Sequence, residues 1–306
     1  MSEKLHVKEP SGLLVFLGAQ LQGWARSKIK QRLQTGCVSV NGVSVTQHDY
    51  ALNEGDLVEV GATAKMASSS PSQLEILYSD RDIIAINKPA GLLSVGTTKE
   101  TQQHALAILR NQLSRRSQEV KLWPVNRIDR DTSGVLLFAT SREMREAVMD
   151  KWDQAEKSYL AIVEGCPNPT EGTIDRPLRA DEEEYRMHVG AHPDAKPAVT
   201  HFKTERTNGK RTLLQVQIDT GRQHQIRAHL SWLGFPVVGD QRYGTAGIRM
   251  GLHALRLKII VPKTGKELTF ETPAPADFFA LVNQTNSTTA GKNSTGKNVK
   301  NRKPNK

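Results

Sequence analysis

Residues 126–140 read NRIDRDTSGVLLFAT. Four charged residues stand directly before the apolar run GVLLFA, and they are Arg127, Asp129, Arg130 and Asp131. An apolar run of this length after a polar turn predicts a buried strand. Taken alone, the stretch fits a turn capped by Asp and Ser before a core strand. The question it raises is why a carboxylate lies between arginines at the start of that strand.

The composition is typical of a globular protein. The 306 residues are 37% hydrophobic and 24% charged, which is enough for two modest domains plus tails. The formal net charge is +10, but six of the basic residues lie in 282–306, which has no acid. The rest of the chain is therefore only mildly basic, and charge alone does not establish nucleic-acid binding.

Cysteine usage and hydropathy indicate a cytoplasmic protein. Cys37 and Cys166 are far apart and predict neither a disulfide framework nor a metal site, which favours a reducing compartment. The first residues, MSEKLHVKEPSG, lack the pattern of a signal peptide. No apolar run approaches the roughly 20 residues that a membrane helix needs. We expect no membrane partner.

The chain divides by composition into four segments. We predict a small domain over 1–62 with its core in 11–62, a polar linker over 63–73, a larger domain over 74–281 and a disordered basic tail over 282–306. The tail has almost no apolar residues, so burial cannot offset its ordering entropy.

The first domain is predicted to contain two helices followed by a hairpin. LLVFLGAQL (13–21) has apolar residues at helical spacing, ARSKIKQRL (25–33) is a second helix, and CVSVNGVSV (37–45) alternates about Asn41-Gly42. The second helix has no acid and four basic residues, which are Arg26, Lys28, Lys30 and Arg32. They form either a solvated face or an RNA-binding face. The arrangement resembles the small alpha-L RNA-binding domain of a ribosomal small-subunit protein.

The second domain is richer in strands than in helices. Strands are predicted over LEILYSD (74–80), DIIAINKPAG (82–91), GVLLFAT (134–140), KSYLAIVEG (157–165), AVTHFKTERT (198–207), RTLLQVQIDT (211–220) and HALRLKIIVP (253–262). Helices are predicted over QQHALAILRNQL (102–113), REMREAVMDKW (142–152) and QHQIRAHLSWLG (223–234). The fold class is therefore α+β, a mixed domain with a largely antiparallel sheet.

The histidine pairs do not predict a metal site. His224 and His229 are five residues apart, so they do not share a helical face. His188 and His192 are four apart, but Gly190 lies between them. Neither pair has a nearby cysteine or a convincing third ligand in the sequence.

Four stretches, in this order, resemble the RluA-type RNA pseudouridine synthase family. They are DIIAINKPAGLLSV (82–95), NRIDRDTSGVLLFA (126–139), KSYLAIVEG (157–165) and TGRQHQIRAHLSWLGFPVVGDQRYG (220–244), and the KPAVT segment (196–200) also matches. The resemblance runs through about 11–281. The family pattern His-Arg-Leu-Asp reads Asn-Arg-Ile-Asp here, so Asn126 departs from it. That departure leaves local loop geometry and target preference open.

The resemblance implies an isomerase that needs no cofactor or metal. The bond between ribose and the base nitrogen is cut, the base turns, and it is rejoined through carbon five. Asp129 is the implied nucleophile or base. Arg227 is its implied cationic partner, with Arg222 as the second choice or an RNA contact. Tyr159 would stack on the uracil, and its hydroxyl is a candidate acceptor of the carbon-five proton.

The remaining implied roles concern RNA. Arg127 resembles the residue that fills the gap left by a flipped base, and Lys88 is a further candidate contact. Arg130 is either a phosphate contact or surface charge. Asp131 is expected to cap backbone N–H groups.

The sequence therefore predicts a monomeric RNA pseudouridine synthase. The small N-terminal domain favours large-subunit ribosomal RNA as the substrate, and transfer RNA remains the other possibility. One alternative is a non-catalytic RNA-binding or ribosome-assembly protein on the same fold. Another is a carboxylate-based hydrolase, which would need a second carboxylate opposite the first.

Overall fold

The structure is a computed structural model that describes residues 3–34, 37–41, 43–45, 50–61, 73–98, 100–114, 120–181, 183–247, 249–262 and 264–283. The predicted linker, apart from its last residue, lies outside the described residues. So do the tail beyond Asn283 and Gly42 of the predicted hairpin. None of the described helices combines the length and apolarity needed to cross a bilayer.

The N-terminal part contains two helices and short strands. The strands are β1 (Glu3–His6), β2 (Ser11–Gly12), β3 (Val38–Val40), β4 (Val43–Ser44), β5 (Ala51–Leu52) and β6 (Leu57–Val60), and the helices are α1 (Leu13–Gln20) and α2 (Arg26–Gln34). One sheet has the order β1-β6-β3-β4, and β2 pairs with β5. Both predicted helices and the β3–β4 pairing are confirmed, whereas β1, β2 and β5 were not predicted.

Helix α2 shows why this part folds. Ile29 and Leu33 recur at helical spacing and are buried in one apolar cluster with Leu13 and Leu17 of α1. The intervening Lys30 is exposed. The sheet closes the same cluster through its valines.

The rest of the described chain forms a larger sheet with helices. Its strands are β7 (Glu75–Ser79), β8 (Ile83–Lys88), β9 (Trp123–Pro124), β10 (Ser133–Ala139), β11 (Glu156–Glu164), β12 (Glu171–Asp175), β13 (Leu178–Asp181), β14 (Arg186–Val189), β15 (Val199–Thr207), β16 (Arg211–Ile218), β17 (Leu252–Ile260) and β18 (Glu267–Glu271). Its α-helices are α3 (Ala105–Leu113), α4 (Arg142–Met149), α5 (Gln225–Trp232) and α6 (Ala276–Asn283). A short 3-10 helix spans Trp152–Gln154.

The sheet confirms the predicted α+β class. Its ten strands have the order β12-β15-β16-β11-β17-β10-β8-β7, with β18 paired to β17 and β9 paired to β10. All seven predicted strands and all three predicted helices of this part are present. Strands β9, β12, β13, β14 and β18 and helix α6 were not predicted. The predicted tail boundary at 282 is wrong, because α6 continues to Asn283 and Val282 is 0% exposed.

Strands β10 and β17 run parallel, and their contact needs a glycine. Gly134 lies opposite Ala254 with a φ of +114°. A Cβ atom on Gly134 would lie 2.1 Å from the carbonyl oxygen of Ala254. On its other side, Ala254 lies opposite Tyr159 of β11. Strand β10, which follows Asp129 in the chain, therefore lies two strands away from β11, which carries Tyr159. At normal strand spacing these two strands are about 10 Å apart.

Replacement of Gly134 by alanine is expected to destabilise the protein. The new methyl group would collide with backbone and the positive φ would be strained, so the loss should be about 3 kcal/mol or more. Urea unfolding measures this loss. Gly221→Ala is the matched control, because a Cβ there meets nothing within 4 Å. Equal midpoints for the two variants would contradict the role assigned to Gly134.

Candidate active site

The centre of the site is one guanidinium shared by two carboxylates. Nη1 of Arg227 donates to Oδ2 of Asp129 over 2.7 Å. Nε and Nη2 of Arg227 donate to Asp240 over 2.6 and 2.8 Å. The side chain of Asp129 is 25% exposed, whereas that of Asp240 is 0% exposed. Arg227 therefore joins one carboxylate that is open to solvent with one that is sealed.

The buried pair keeps the charges fixed. Burial opposes the charge of Arg227, but the hydrogen bonds to Asp240 and the charge of Asp129 raise the pKa of Arg227 above its usual value. Burial likewise opposes the charge of Asp240, but its bonds from Arg227 and from two backbone N–H groups hold the pKa of Asp240 below its usual value. The guanidinium is thus charged and oriented before any substrate arrives.

Arg222 takes a different position from Arg227. Its Nε donates to the carbonyl of Pro197 over 3.0 Å, and its side chain is exposed. Of the two arginines that the sequence left as candidates, Arg227 is the one that contacts Asp129 in this structure. Arg222 stays a candidate RNA contact.

Polar residues of HQIRAH hold the buried helix α5 in place. Gln225 donates to the carbonyl of Val199 and to Thr200, and it accepts from the N–H of Arg222. His229 is bonded through Nδ1 to Thr200 and through Nε2 to the carbonyl of Arg176. These bonds fasten α5 to β15 and so fix the position of Arg227. His229 has a structural role here, with both ring nitrogens occupied.

The loop that carries Asp129 is held on both sides of that residue. The hydroxyl of Ser94 donates to the carbonyl of Ile128 over 2.7 Å and accepts its N–H. Nζ of Lys88 donates to the carbonyl of Arg130 over 3.0 Å, and also to the carbonyls of Pro89 and Leu92. The backbone of Asp129 is therefore clamped between two buried side chains.

The predicted RNA contact of Lys88 is not supported by its position. Lys88 is 0% exposed, and its three donor protons meet three carbonyl oxygens. Burial lowers the pKa of Lys88 to about 7, although the charges of Asp131 and Asp129 act in the opposite direction. The sequence could not show this burial, because Lys-Pro-Ala-Gly also reads as an exposed turn.

Tyr159 lies on β11 where the register shifts. Ser158 lies opposite Arg256 and Tyr159 lies opposite Ala254, so β17 carries one additional residue at this point. Such an irregularity re-aims the neighbouring side chains. Burial, and then the charge of Asp129, raise the pKa of Tyr159. The phenol therefore remains protonated at neutral pH, with its ring partly exposed beside the site.

The other charges of the opening stretch face solvent. Arg127, Arg130 and Asp131 are exposed. Nε of Arg130 donates to the carbonyl of Gly91 over 3.1 Å. Within the described part of the chain, no hydrogen bond is seen to the side chain of Arg127 or Asp131. The cap predicted for Asp131 is thus not formed, and Arg127 is available at the surface.

The four basic residues of α2 differ in their surroundings. Arg26, Lys28 and Lys30 are exposed, and the ammonium of Lys28 lies 4.1 Å from the ring centroid of Trp24. Arg32 is half-buried, and its Nη1 donates to the carbonyl of Gly61 over 3.0 Å. Three of the four candidate RNA contacts therefore reach solvent, while Arg32 ties α2 to the end of β6.

Sequence reasoning missed two residues that hold the site. Asp240 and Ser94 both lie within stretches that matched the family, but nothing in their spacing assigned them a partner. An acid inside the otherwise apolar GFPVVGD was the available signal, because an acid in an apolar run needs a buried cation. His188 lies 3.3 Å from Asp181 and 3.4 Å from Glu184, two acids that the sequence analysis did not connect with it.

The burial of Lys88 gives a pH-dependent stability. Between about pH 7 and 10.5 the unfolded chain binds the lysine proton and the folded chain releases it, so stability rises with pH in this window. Relative to Lys88→Met, the wild type should gain about 2 kcal/mol between pH 7 and 9, as measured by urea unfolding. Lys121→Met, at an exposed lysine, should keep the wild-type slope. Parallel curves for wild type and Lys88→Met would refute this assignment.

Comparison with known proteins identifies the family of this chain. The model of a family described as RNA pseudouridylate synthase matches residues 82–232. The chain is 33% identical to the uncharacterized RNA pseudouridine synthase YlyB of Bacillus subtilis (strain 168), over 87% of this chain and 91% of that one. It is 29% identical to ribosomal large subunit pseudouridine synthase D of Yersinia pestis, over 85% and 86% of the two chains.

Solved structures agree with these relatives. Human RNA pseudouridylate synthase domain containing 4 superimposes with a TM-score of 0.56 at 26% identity, over 67% of this chain and 90% of that one. Human RNA pseudouridylate synthase domain containing 1 gives 0.57 at 25%, over 69% and 87%. The chain belongs to the RluA-type family of RNA pseudouridine synthases, which are isomerases that act on RNA.

Proposed function

We propose that this enzyme isomerises uridines in structured RNA, most directly large-subunit ribosomal RNA, with Asp129 as the catalytic carboxylate. The observation that supports this most strongly is that Asp129 and Asp240 share the guanidinium of Arg227. Its guanidinium holds Oδ2 of Asp129 and leaves Oδ1 without a hydrogen bond from any described residue. A carboxylate with one oxygen held and one oxygen open can act as a nucleophile or a base.

The reaction requires four changes at the uridine. The bond between ribose carbon one and the base nitrogen breaks, a bond from that ribose carbon to carbon five forms, carbon five loses its proton, and the freed base nitrogen gains one. Asp129 acts beside the sugar in the first step. Arg227 stays paired with Asp129 when the entering base displaces water, because a cation offsets the cost of desolvating the carboxylate. The isomerisation takes no group or electron from outside, so these side chains suffice for it.

Tyr159 acts through its ring and its protonated hydroxyl. A ring stacked on a nucleobase contributes roughly 1–3 kcal/mol. Since burial and Asp129 raise the pKa of Tyr159, a free phenolate is not the base that removes the carbon-five proton. The hydroxyl can accept that proton only while it passes its own proton on to another group.

A hydrolase on the same fold is less well supported. Glycoside hydrolysis needs two carboxylates on opposite sides of the bond. Asp240 is the acid that Arg227 brings near Asp129, and it is fully buried with both oxygens bonded. Asp131 is exposed and lies two residues along the same loop. Neither residue is placed to face Asp129 across a substrate.

Arg127 is proposed to occupy the gap left by the flipped uridine. It lies two residues before Asp129 and its side chain is exposed. A guanidinium plane can stack on a base and also bind a phosphate. Ser94 and Lys88 hold the loop that carries both residues, so the backbone positions of Arg127 and Asp129 keep a fixed separation.

The choice of ribosomal RNA rests on two observations. The name of the Yersinia pestis relative says that it acts on the ribosomal large subunit. The N-terminal part of this chain presents three exposed basic residues on α2 beside Trp24. We propose that this part is an alpha-L RNA-binding domain that recruits the enzyme to structured RNA.

Asp129→Asn is expected to abolish the reaction while leaving RNA binding intact. Tritium release from RNA labelled at uridine carbon five measures turnover, and filter binding measures affinity. Unmodified transcripts of large-subunit ribosomal RNA and transfer RNA are the two substrates. Asp131→Asn is the matched control, since it removes an exposed acid from the same loop and should keep the wild-type rate. Release by Asp129→Asn at the wild-type rate would reject the proposed chemistry.

Arg127→Ala is expected to slow the reaction more on a base-paired RNA than on an unpaired one. Unstacking a base costs a few kcal/mol, so loss of the Arg127 guanidinium should slow turnover roughly 10-fold or more on a hairpin that contains the target uridine. The same sequence as an unpaired oligomer should be affected much less. Arg127→Lys keeps the charge without the planar group and should resemble alanine on the hairpin. Equal slowing on both substrates would count against base flipping.

A further inference from the structure

A line of polar contacts runs from β14 through Tyr243 and His224 toward Oδ1 of Asp129, the oxygen that Arg227 does not bind. The backbone N–H of Met187 donates to the hydroxyl of Tyr243 over 2.7 Å. That hydroxyl lies 3.0 Å from Nδ1 of His224. Nε2 of His224 lies 3.9 Å from Oδ1 of Asp129. Strand β14 and the loop after Asp240 therefore support His224, the residue just before α5, and its ring faces the carboxylate.

The direction of the protons follows from what each group can do. The N–H of Met187 can only donate, so the oxygen of Tyr243 accepts there. The phenolic proton is then free to go to Nδ1 of His224, and in that arrangement Nδ1 is unprotonated. The neutral imidazole consequently carries its proton on Nε2, the nitrogen that faces Asp129. Burial lowers the pKa of His224 and raises the pKa of Tyr243, in agreement with both groups being neutral.

Both rings are held in place by their surroundings. The ring of His224 meets that of Tyr243 edge-on, with centroids 5.6 Å apart and an interplanar angle of 84°. The ring of Tyr243 also lies 5.1 Å from the guanidinium of Arg186 and 5.2 Å from that of Arg227. His224 has a φ of +50°, a left-handed conformation that is costly for a side-chain-bearing residue. The chain tolerates this strain at the one residue whose ring faces Oδ1.

We propose that His224, with its tautomer fixed by Tyr243, is a positioning residue for Asp129. Its Nε2–H restrains Oδ1 while Arg227 restrains Oδ2, so the plane of the carboxylate is set from both sides. The separation of 3.9 Å in the free protein is an electrostatic contact. A contact of this length restrains Oδ1 and still leaves its lone pairs open to the substrate. The proposal rests on the assignment of Asp129 as the catalytic carboxylate.

Two amide variants separate this role from a structural one. In His224→Gln the side-chain amide can place an N–H near the position of Nε2. In His224→Asn the amide reaches only the position of Nδ1, and nothing faces Asp129. Asparagine tolerates the left-handed conformation better than glutamine does. A purely structural role therefore predicts that the asparagine variant works better, and the positioning role predicts the reverse order.

Single-turnover tritium release at saturating enzyme reads out the chemical step without binding. His224→Asn should be slowed roughly 10- to 100-fold, while His224→Gln retains most of the rate. The affinity for the same RNA, measured by filter binding, should change less than twofold for both variants. Asparagine equal to or faster than glutamine would overturn the proposal, and so would a loss confined to affinity.

The tautomer can be tested without any RNA. With ¹⁵N-labelled histidine, the His224 signals are identified by their absence from His224→Gln. In the wild type they should show a bare, hydrogen-bonded Nδ1 and a protonated Nε2, and Tyr243→Phe should shift the Nδ1 resonance. A proton on Nδ1 in the wild type would refute the proposal. Full activity of Asp129→Asn would instead remove the proposed function while leaving the tautomer result unaffected.

Discussion

The sharing of Arg227 between two carboxylates determines how the site works. If Asp240 were absent, the guanidinium would be free to bind both oxygens of Asp129 in the bidentate geometry that arginine favours. Both oxygens of Asp129 would then be held. Asp240 instead binds the Nε–Nη2 edge of the guanidinium, and Asp129 receives one contact, from Nη1. The buried acid thus sets the orientation in which Arg227 meets the exposed acid.

This arrangement explains why so many polar groups are buried around it. A fully buried carboxylate is stable only beside an oriented cation, so α5 must hold Arg227 rigidly. Gln225 and His229 achieve this through bonds to β15 rather than through apolar packing alone. On the other side, Ser94 and Lys88 fix the backbone that carries Asp129. The geometry of the ion pair is therefore set by two independent supports, as a site on rigid elements requires.

The sequence was informative where the pattern was local. Alternating runs predicted the seven strands, and helical spacing predicted α3, α4 and α5. The contact between Asp129 and Arg227, 98 residues apart, came only from the family resemblance, since no local pattern encodes it. The bonds of Lys88 depend on which carbonyls the folded loop brings to it, so its burial was not predictable. Helix α6 was missed in part because its end adjoins a polar, basic tail that dominates the local composition.

Asn126 shows how a departure from the family pattern is accommodated by the fold. Strand β10 pairs with β17 only at 133–134, and with β9 only at Phe138 and Ala139. Between these points the backbone of Leu137 lacks a strand on that side. The N–H of Val125 donates to the carbonyl of Leu137, and Oδ1 of Asn126 accepts the N–H of Leu137. The Asn126 side chain supplies an acceptor at this reach, so it meets a hydrogen-bonding requirement of the sheet three residues before Asp129.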